Sequence, residues 1–446
     1  MCFVILTYAT KLKTIMFNRV NSIAMKTKLV ISLLFLSMLT NAQIGYQVYF
    51  GNLHSHTSYS DGEQTPLDAY VYAKDVAGLD FLAVTDHMEQ LSSSEFTQMQ
   101  SMSQLSTING TFIGIAGYEW GSPYYGHVNV FNATEMPSVL TYTDWSGFRD
   151  WLMDRPTAFA EFNHPGDESY FNNWYDFEYK GEQTDSSFAL IEFQNIQQAD
   201  DWYELSLNNG WHLSPAWNQD NHSADWGTKN DGRAGLWCTD LSLNSIYDAI
   251  RAGRTFATMD KNAYVWFETN NNPMGSRCTR YANMPFTIKL SDDDNEAWTS
   301  IEVRSSNGLI MQLSATGNFD NTINLSLYTD SYVYIRAIQA DGDYVWSSPI
   351  YLEGVMSQLN ENTSQTSFSI FPNPANDKIW ITNTANATSP IYINVFSSTG
   401  VSLKSEVISS QLSNIFSLST SHLESGMYFI EIEHENKKQV QKIIVH

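Results

Sequence analysis

Cysteine is scarce in this chain, with three residues among 446, which is too few for a disulfide-stapled scaffold. Cys2 lies in the leader described below, while Cys238 and Cys278 either pair or remain two separate buried thiols. Basic residues are also scarce, since 24 Lys and Arg stand against 48 Asp and Glu and the net charge is −24. So acidic a chain repels polyanions, which argues against a nucleic-acid partner but not against a small anionic substrate held by metal ions.

The apolar run near the N-terminus, residues 29–39, is shorter than the roughly 20 residues that a membrane-spanning helix needs. It follows the basic stretch 25–28 and precedes the polar stretch 40–43, and these are the three regions of a secretory signal peptide over residues 25–42. Residues 1–24 precede this signal peptide and form an N-terminal extension. Whether the extension is part of the protein is doubtful, because Met25 is a candidate start of translation. Residues 1–42 contain five Lys or Arg and no acidic residue, so the chain from Gln43 has a net charge of −29. We predict an exported protein whose mature chain has no transmembrane span.

Short apolar runs that end in polar clusters recur from about Tyr46 onward. The runs and their clusters are 48–53 before His54 and His56, 81–84 before Asp86 and His87, 112–116 before Glu119, 158–162 before His164, 188–193 with Glu192, and 212–217 before Asp220 and His222. Such runs indicate buried strands, and Pro66 and Gly78 are the start and stop signals of a helix. Strands that alternate with helices and end in polar residues predict an α/β barrel over residues 43–266, with its site at the C-terminal ends of the strands.

Several of these clusters contain side chains that bind metal ions. His54 and His56 alternate along a strand, so both imidazoles project to one side, where one cation can bind both. Five histidines and three carboxylates at strand ends are enough for two or three ions, which would polarise a scissile group and acidify a water nucleophile. The alternative is a buried hydrogen-bonded network without metal. The number of independent strand ends favours metal.

The second half of the chain has the alternating pattern of antiparallel strands. Residues 286–290, 301–304 and 332–336 follow it, which predicts a β-sandwich over 267–354. The acidic run Asp292–Asp294 with Glu296 favours a solvated turn over a calcium loop, because the Asp/Gly spacing of a calcium loop is absent. Residues 355–366 have the composition of a linker, and residues 367–446 are again β-patterned.

The polar clusters resemble, in order, the motifs of the PHP (polymerase and histidinol phosphatase) superfamily. The matching segments are 53–62, 78–87, 117–120 with 126–129, 163–165 and 220–222. The resemblance implies a distorted seven-stranded β/α barrel with a di- or trinuclear centre of zinc, manganese or iron. The positions that match metal ligands are His54, His56, Asp61, His87, Glu119, His164, Asp220 and His222. It also implies catalytic roles for Asp61, for His127, which would either bind metal or lie beside the substrate, and for Asp86, which would orient His87.

Other residues near these motifs have two interpretations each. Glu192 matches no motif of the family, and it either lines the barrel or has a functional role. Gln219 stands before Asp220, where the last motif of the family often has Gly-Ser. Lys229, Arg233 and Arg254 either clamp a phosphate or have structural roles. The tryptophans near the motifs are expected to pack inside the domain rather than to line a cleft, and these are Trp120, Trp174, Trp211 and Trp226.

The C-terminal region resembles the sorting domain of type IX secretion cargo. The resemblance rests on residues 371–377, 398–400, 426–428 and 442–445. It implies export through the outer-membrane secretion machinery to the cell surface or the exterior. The alternative is an adhesive β-sandwich.

These features predict a secreted metal-dependent hydrolase with a small-molecule substrate. A phosphoesterase acting on small organic phosphates is favoured, because that is the commonest chemistry of the family that the chain resembles. The segment 117–129 resembles a branch of that family with amide or carbamate hydrolysis, which is the second hypothesis. The third is a non-catalytic surface-binding protein, and the intact ligand set argues against it.

Overall fold

The computed structural model describes residues 45–138, 144–281, 283–327, 329–355, 368–383, 390–397, 402–408, 415–434 and 437–446. The predicted signal peptide and linker lie outside these residues. The chain divides into two compact units, Met1–Gly354 and Val355–His446. No helix of the described residues is long and apolar enough to cross a membrane.

Three parallel strands open the first unit, and helices connect them. The strands are β1 (Gln47–Asn52), β2 (Phe81–Val84) and β3 (Ile113–Ala116), adjacent in that order. The helices are α1 (Pro66–Tyr72), which a π-helical turn over Ala73–Ala77 extends, and α2 (Ser93–Ser106). Thr65 and Ser92 cap their N-termini, and Gly78 ends the first segment at a φ of 67° that favours glycine. The segment between Pro66 and Gly78 is therefore helical, as its start and stop signals predict.

A second sheet follows, with five strands in sequence order. Its strands are β4 (Tyr118–Ser122), β5 (Gly126–Phe131), β6 (Phe159–Asn163), β7 (Phe188–Phe193) and β8 (Ser214–Trp217). The pairs β4–β5 and β5–β6 are antiparallel, while β6–β7 and β7–β8 are parallel. The helical segments here are α3 (Trp145–Met153), α4 (Asn173–Phe177), α5 (Glu182–Asp185), α6 (Ile196–Gln198), a π-helical turn over Ala199–Tyr203, and α7 (Glu204–Asn208). The residues of α4 all have φ between 45° and 60°, so this short turn is left-handed.

The first sheet continues into the second half of the unit. β9 (Arg233–Cys238) pairs with β1, and β10 (Thr255–Thr258) pairs with β9 after helix α8 (Leu243–Arg251). The later strands are β11 (Tyr264–Thr269), β12 (Asn272–Pro273), β13 (Arg277–Arg280), β14 (Met284–Ser291), β15 (Trp298–Ser305), β16 (Gly308–Ala315), β17 (Phe319–Leu325), β18 (Tyr332–Gln339), β19 (Tyr344–Ser347) and β20 (Ile350–Val355). The resulting sheet has the order β13-β20-β18-β19-β10-β9-β1-β2-β3, with β15 pairing with β18 and β16 pairing with β15. The strands β12-β11-β14-β17 form a separate sheet.

The unit is mixed α/β, as the sequence predicts, and the seven-stranded barrel stays a prediction. Hydrogen bonds divide β1–β10 between two sheets, and isolated bridges at Ser55–Asn221 and His87–Glu119 join the two. The strand β11 crosses the predicted boundary between residues 266 and 267, and β10 pairs with β19 beyond it. Residues 267–354 are rich in β-structure as expected, and the division of the chain into domains stays a prediction.

Aromatic side chains fill much of the interior of this unit. The four tryptophans that are expected to pack inside, Trp120, Trp174, Trp211 and Trp226, are each no more than 1% exposed. Trp120 stacks on Phe148 with ring centroids 4.3 Å apart, which adds to the stabilisation from burial. Cys238 is buried and Cys278 half-buried, and both are free thiols, so the two do not pair.

The second unit is a small β-structure. One sheet has the order β21 (Phe368–Phe371), β22 (Lys378–Asn383), β25 (Ile415–Ser419). The other has the order β24 (Ser402–Ile408), β23 (Ile391–Ser397), β26 (Gly426–His434), β27 (Lys437–Val445). Alternate residues of these strands, among them Ile379, Ile393, Ile430 and Ile443, are buried in one apolar cluster.

Candidate metal centre

The predicted ligands converge at the edge where the sheet that contains β1–β3 meets the sheet of β4–β8. His54 and His56 follow β1, His87 follows β2, Glu119 lies on β4, His164 follows β6, and Asp220 and His222 follow β8. The bridges Ser55–Asn221 and His87–Glu119 hold the strand ends side by side, which brings residues distant in sequence into contact. All eight predicted ligand positions and His127 belong to groups whose ligand atoms lie within 4.8 Å of one another.

Glu119 is at the middle of this cluster and is fully buried. Its Oε1 lies 3.4 Å from Nε2 of His54, 3.4 Å from Nε2 of His164 and 3.1 Å from Nδ1 of His127. Its Oε2 lies 3.5 Å from Nε2 of His56 and 2.8 Å from Nδ1 of His87. A carboxylate with imidazoles around both oxygens is placed to bridge two cations.

His54, His56 and Asp220 form one of these groups. The two Nε2 atoms are 3.0 Å apart, and Oδ1 of Asp220 lies 3.3 Å from the first and 3.1 Å from the second. Nδ1 of His54 bonds to the Glu192 carboxylate, so the neutral ring would present its lone pair at Nε2. Ligands at about 2.0–2.1 Å from a tetrahedral zinc ion are roughly 3.3 Å from each other, which is the spacing found here.

A second group lies nearer the surface and contains His56, Asp61, His87 and His222. Oδ1 of Asp61 is 3.3 Å from Nε2 of His222, and its Oδ2 is 3.6 Å from Nε2 of His87. The rings of His56 and His222 stack with centroids 4.2 Å apart. Asp61 is 46% exposed, so this part of the centre is open to solvent.

Burial and charge oppose each other at these groups. Burial disfavours a charge on Glu119, but His54 and His127 outweigh it and hold the pKa of this carboxyl well below its usual range. Burial also disfavours protonation of His87 and His164, yet the contact with Glu119 raises the pKa of each imidazole to about 9. The carboxylates therefore create a negative potential at the point where the imidazole nitrogens meet, and this potential favours a cation.

The residues of this cluster fit divalent metal ions. The fit can be tested on the buried nitrogen and oxygen atoms of the cluster that have no hydrogen-bond partner. Nδ1 of His87 and Oε2 of Glu119 are buried and 2.8 Å apart, but their orientation does not make a hydrogen bond. Nδ1 of His164 is buried without a hydrogen-bond partner as well. Buried polar atoms are normally paired, and atoms that converge without pairing are arranged as ligands of a common ion. A mixed imidazole and carboxylate set suits zinc, manganese or iron, which supply Lewis acidity and acidify bound water.

Glu192, which has no motif behind it, supports the centre from outside. Its carboxylate accepts from Nδ1 of His54 at 3.0 Å and from the backbone N–H of His164 at 2.8 Å. The sequence predicts no role for Asn163, whose Nδ2 donates to Oε1 of Glu119 at 2.7 Å. The available signal was the position of both residues at the ends of predicted strands.

Asp86 does not contact His87 in the predicted way. Its oxygens accept from the backbone N–H of Thr57 at 2.7 Å, from the Thr57 hydroxyl at 2.6 Å and from the Ser60 hydroxyl at 2.6 Å. Asp86 therefore fixes the loop that carries His56 and Asp61. The predicted role is corrected because the loop after β1 folds over this carboxylate and uses both of its oxygens.

Two candidate ligands have strained backbones. His164 has a φ of 27° and Asp220 a φ of 42°, which residues with a Cβ rarely adopt. Such conformations persist where the surroundings fix them, and they cluster at functional sites. Beside Asp220, Gln219 accepts from the N–H of Gly227 and donates to Asn230, so the departure from the family motif leaves a well-bonded turn.

The centre opens into a cavity of about 500 Å³. Its lining consists of His87, Glu89, Glu119, Gly121, Ser122, Pro123, His127, His164, Asp167, Glu168, Tyr170, Phe171, Asp220 and His222. This lining contains three carboxylates outside the predicted ligand set and no Lys or Arg. His127, 24% exposed, reaches both the cavity and Glu119.

The basic residues near the last motifs have structural roles rather than forming a phosphate clamp. Arg233 is buried and donates to the carbonyls of Gly227, Asn230 and Gly232. Lys229 donates to the carbonyl of Gln219, and Arg254 donates to the carbonyl of Trp237. Each of the three therefore donates to at least one backbone carbonyl.

Comparison with known proteins identifies the C-terminal region. Residues 369–446 match the family model of the secretion system C-terminal sorting domain. The match confirms the sorting domain predicted over residues 367–446 and supports secretion of the chain. No curated protein matches the chain.

Two solved structures are similar to part of the chain. One is a two-domain protein from Bacteroides vulgatus that is described as containing a predicted PHP-like metal-dependent phosphoesterase. It is 14% identical to this chain with a TM-score of 0.42, and the match covers 69% of this chain and 96% of that one. The other is a lesion-specific endonuclease from Pyrococcus furiosus, 12% identical with a TM-score of 0.31, where the match covers 46% of this chain and 56% of that one.

Proposed function

We propose that the chain is a secreted metal-dependent hydrolase of small phosphate esters. The observation that carries the proposal is the position of Glu119, whose two buried oxygens lie among the nitrogens of five histidines. His54, His56, His164 and Asp220 would hold a buried ion, and Asp61, His87 and His222 would hold one or two more near the cavity. A set of this kind is costly to bury without an ion, which argues against a non-catalytic scaffold.

The residues around the cavity divide the remaining work. His127 touches both Glu119 and the cavity, so it is placed to exchange a proton with a bound substrate. Tyr170 and Phe171 give the cavity an apolar wall that can accept the organic part of an ester. A volume of about 500 Å³ suits a small molecule, and the net charge of −24 disfavours a polynucleotide.

A second candidate is hydrolysis of an amide or carbamate at the same centre. The observation that favours it is the cavity lining, which has no Lys or Arg and adds the carboxylates of Glu89, Asp167 and Glu168. Phosphoryl transfer normally uses cationic side chains in addition to metal ions, because charge develops on the equatorial oxygens. A neutral amide avoids the repulsion that these three carboxylates exert on a phosphate.

The experiment is a hydrolysis screen of the purified protein over phosphomonoesters, phosphodiesters, amides and carbamates. We expect turnover of small phosphate esters that stops with a chelator and returns with manganese or zinc. Turnover of an amide or carbamate alone would replace the first proposal by the second. Unchanged activity after verified removal of all metal would contradict both.

For localisation, we propose export by the type IX system, with the C-terminal domain engaging the outer-membrane secretion machinery. The proposal rests on the sorting-domain match over residues 369–446. The signal peptide over residues 25–42 would direct the first step, to the periplasm.

A further inference from the structure

A second cluster of oxygen ligands lies in the β-rich half of the first unit. Asp260 follows β10, Asp292 and Glu296 lie between β14 and β15, and one carboxylate oxygen from each lies within 4.8 Å of the others. Asp292 is 1% exposed. Among the ion pairs of the described residues, none joins these three carboxylates to a Lys or Arg.

The observation that points to a ligand is a buried amide beside the carboxylates. Gln339, at the end of β18, is 1% exposed, and its Nε2 lies 3.4 Å from Oδ2 of Asp260. Its Oε1 is buried without a hydrogen-bond partner, and so is Oδ1 of Asn262, two residues after Asp260. The amide nitrogens of both side chains donate to carboxylates of this region, at Asp260 and Asp294, so the two unpaired oxygens belong to side chains that contact it. Buried unpaired oxygens are costly unless a cation accepts their lone pairs.

The loop is also preorganised. Oδ1 of Asp292 accepts from the N–H of Asp294 at 3.0 Å, and its Oδ2 accepts from the N–H of Glu296 at 2.8 Å. Each carboxylate oxygen has a second lone pair that remains free for an ion. Oε1 of Glu296 accepts from the N–H of Asp341 at 3.0 Å, which ties this loop to the hairpin between β18 and β19.

The pKa values of two carboxyl groups in this region are raised, as expected for a cation site without its ion. Burial raises the pKa of Asp260, and the nearby charge of Asp292 adds to that rise. Burial and then Asp341 raise the pKa of Asp343 to about 6. The carboxylates therefore repel one another in the absence of a cation.

We propose that Asp260, Asp292 and Glu296, with the amide oxygens of Asn262 and Gln339, bind one calcium ion that ties together three loops. Calcium takes six to eight oxygen ligands in flexible geometry, whereas the histidine-rich centre suits transition metals. The acidic run 292–296 alone lacks the spacing of a calcium loop, and Asp260 and Gln339 complete the site from other parts of the chain. The site is separate from the proposed activity and does not depend on it.

Calorimetric titration of the purified full chain with calcium chloride at constant ionic strength tests the proposal. The informative variant is Asp260→Asn with Glu296→Gln, because both amides keep the oxygens that accept from Asn262 and Asp341. The milder Glu296→Gln serves if the double variant does not fold. Asp320→Asn is the matched control, since Asp320 is exposed and pairs with Lys289.

We expect the wild-type chain to bind one more calcium ion than the double variant, with a Kd of roughly 10⁻⁴–10⁻³ M, as in extracellular modules. Glu296→Gln alone should weaken binding about tenfold, and Asp320→Asn should leave it unchanged. Calcium should raise the Tm of the wild-type chain and not that of the double variant. Equal numbers of bound calcium ions in the wild-type chain and the double variant, or equal loss in the Asp320→Asn control, would overturn the proposal.

Discussion

Glu192 and His54 form a buried pair in which the carboxylate accepts from Nδ1 of the imidazole at 3.0 Å, and Nε2 of the same ring then faces Nε2 of His56 at 3.0 Å. The pairing sets the tautomer of His54, because a ring whose Nδ1 donates a proton presents a lone pair at Nε2. Glu192 also accepts from the backbone N–H of His164. One carboxylate therefore orients two candidate ligands from separate strands.

Replacing Glu192 by Gln should weaken metal binding by roughly 10–100-fold while leaving the fold intact. The amide retains one acceptor oxygen but loses the charge that favours His54 as a donor at Nδ1. The measurement is the metal affinity in competition with a chromophoric chelator.

His54→Ala should lose bound metal and activity altogether. His212→Ala should retain both, because His212 pairs with Asp185 outside the centre. Unchanged affinity in Glu192→Gln would show that the pair has no role in metal binding.

Removing charge from the cavity lining should favour an anionic substrate. The triple variant Glu89→Gln, Asp167→Asn and Glu168→Gln should raise kcat/KM for a small phosphate ester about 2- to 5-fold at low salt, because repulsion of the substrate decreases. The increase should shrink as salt is added, and hydrolysis of a neutral substrate should not change. The control is Asp75→Asn, an exposed residue outside the cavity lining. A uniform change for charged and neutral substrates would contradict the electrostatic explanation.

Asp80 should make the stability of the chain depend on pH. Burial raises its pKa from 3.8 to about 6, although its Oδ2 accepts from the backbone N–H of Phe50 at 2.8 Å. Since the pKa is higher in the folded state, its contribution to stability is fully present below about pH 4 and is lost as the pH rises through 6. Asp80→Asn keeps the acceptor, so it should be more stable than the wild-type chain at pH 8 by up to about 3 kcal/mol.

The measurement for Asp80 is urea unfolding of both chains at pH 4 and pH 8. The difference in the free energy of unfolding should be larger at pH 8 by the amount given above. An equal difference at the two pH values would mean that the carboxyl is not held in a raised-pKa state.

Deleting residues 367–446 should leave an active protein that fails to leave the cell envelope. The compact unit Met1–Gly354 contains the whole candidate centre, and the deleted region is the matched sorting domain. Cell fractionation with an activity assay measures the outcome, and the full-length chain is the control. Normal release of the truncated chain to the surface or the medium would contradict the assignment of export to this region.

The sequence by itself predicted the candidate metal ligands and identified the C-terminal domain. The pattern is local, because each candidate ligand follows or lies on an apolar run, as His54, His87, Glu119 and Asp220 do. Strand ends that carry such residues meet at one edge of a barrel fold, so the pattern alone predicts a shared site. The sorting domain was recognisable for a similar reason, since its short motifs are local. The alternating pattern of residues 267–354 likewise predicted strands, because a period of two reflects the geometry of one strand.

Only the tertiary structure decided how those elements combine. It distributed β1–β10 between two sheets and paired β10 with β19, because strand pairing depends on contacts between residues far apart in sequence. It also decided the hydrogen-bond partners of two carboxylates, because a carboxylate accepts from the donors that the fold brings near. Asp86 accepts from Thr57 and Ser60, and Glu192 accepts from His54. The tertiary structure also brought Asp260 and Gln339 to the acidic loop at 292–296, although β-strands separate all three in the chain. Local patterns fix which residues can bind a cation, and long-range packing fixes which of them share one.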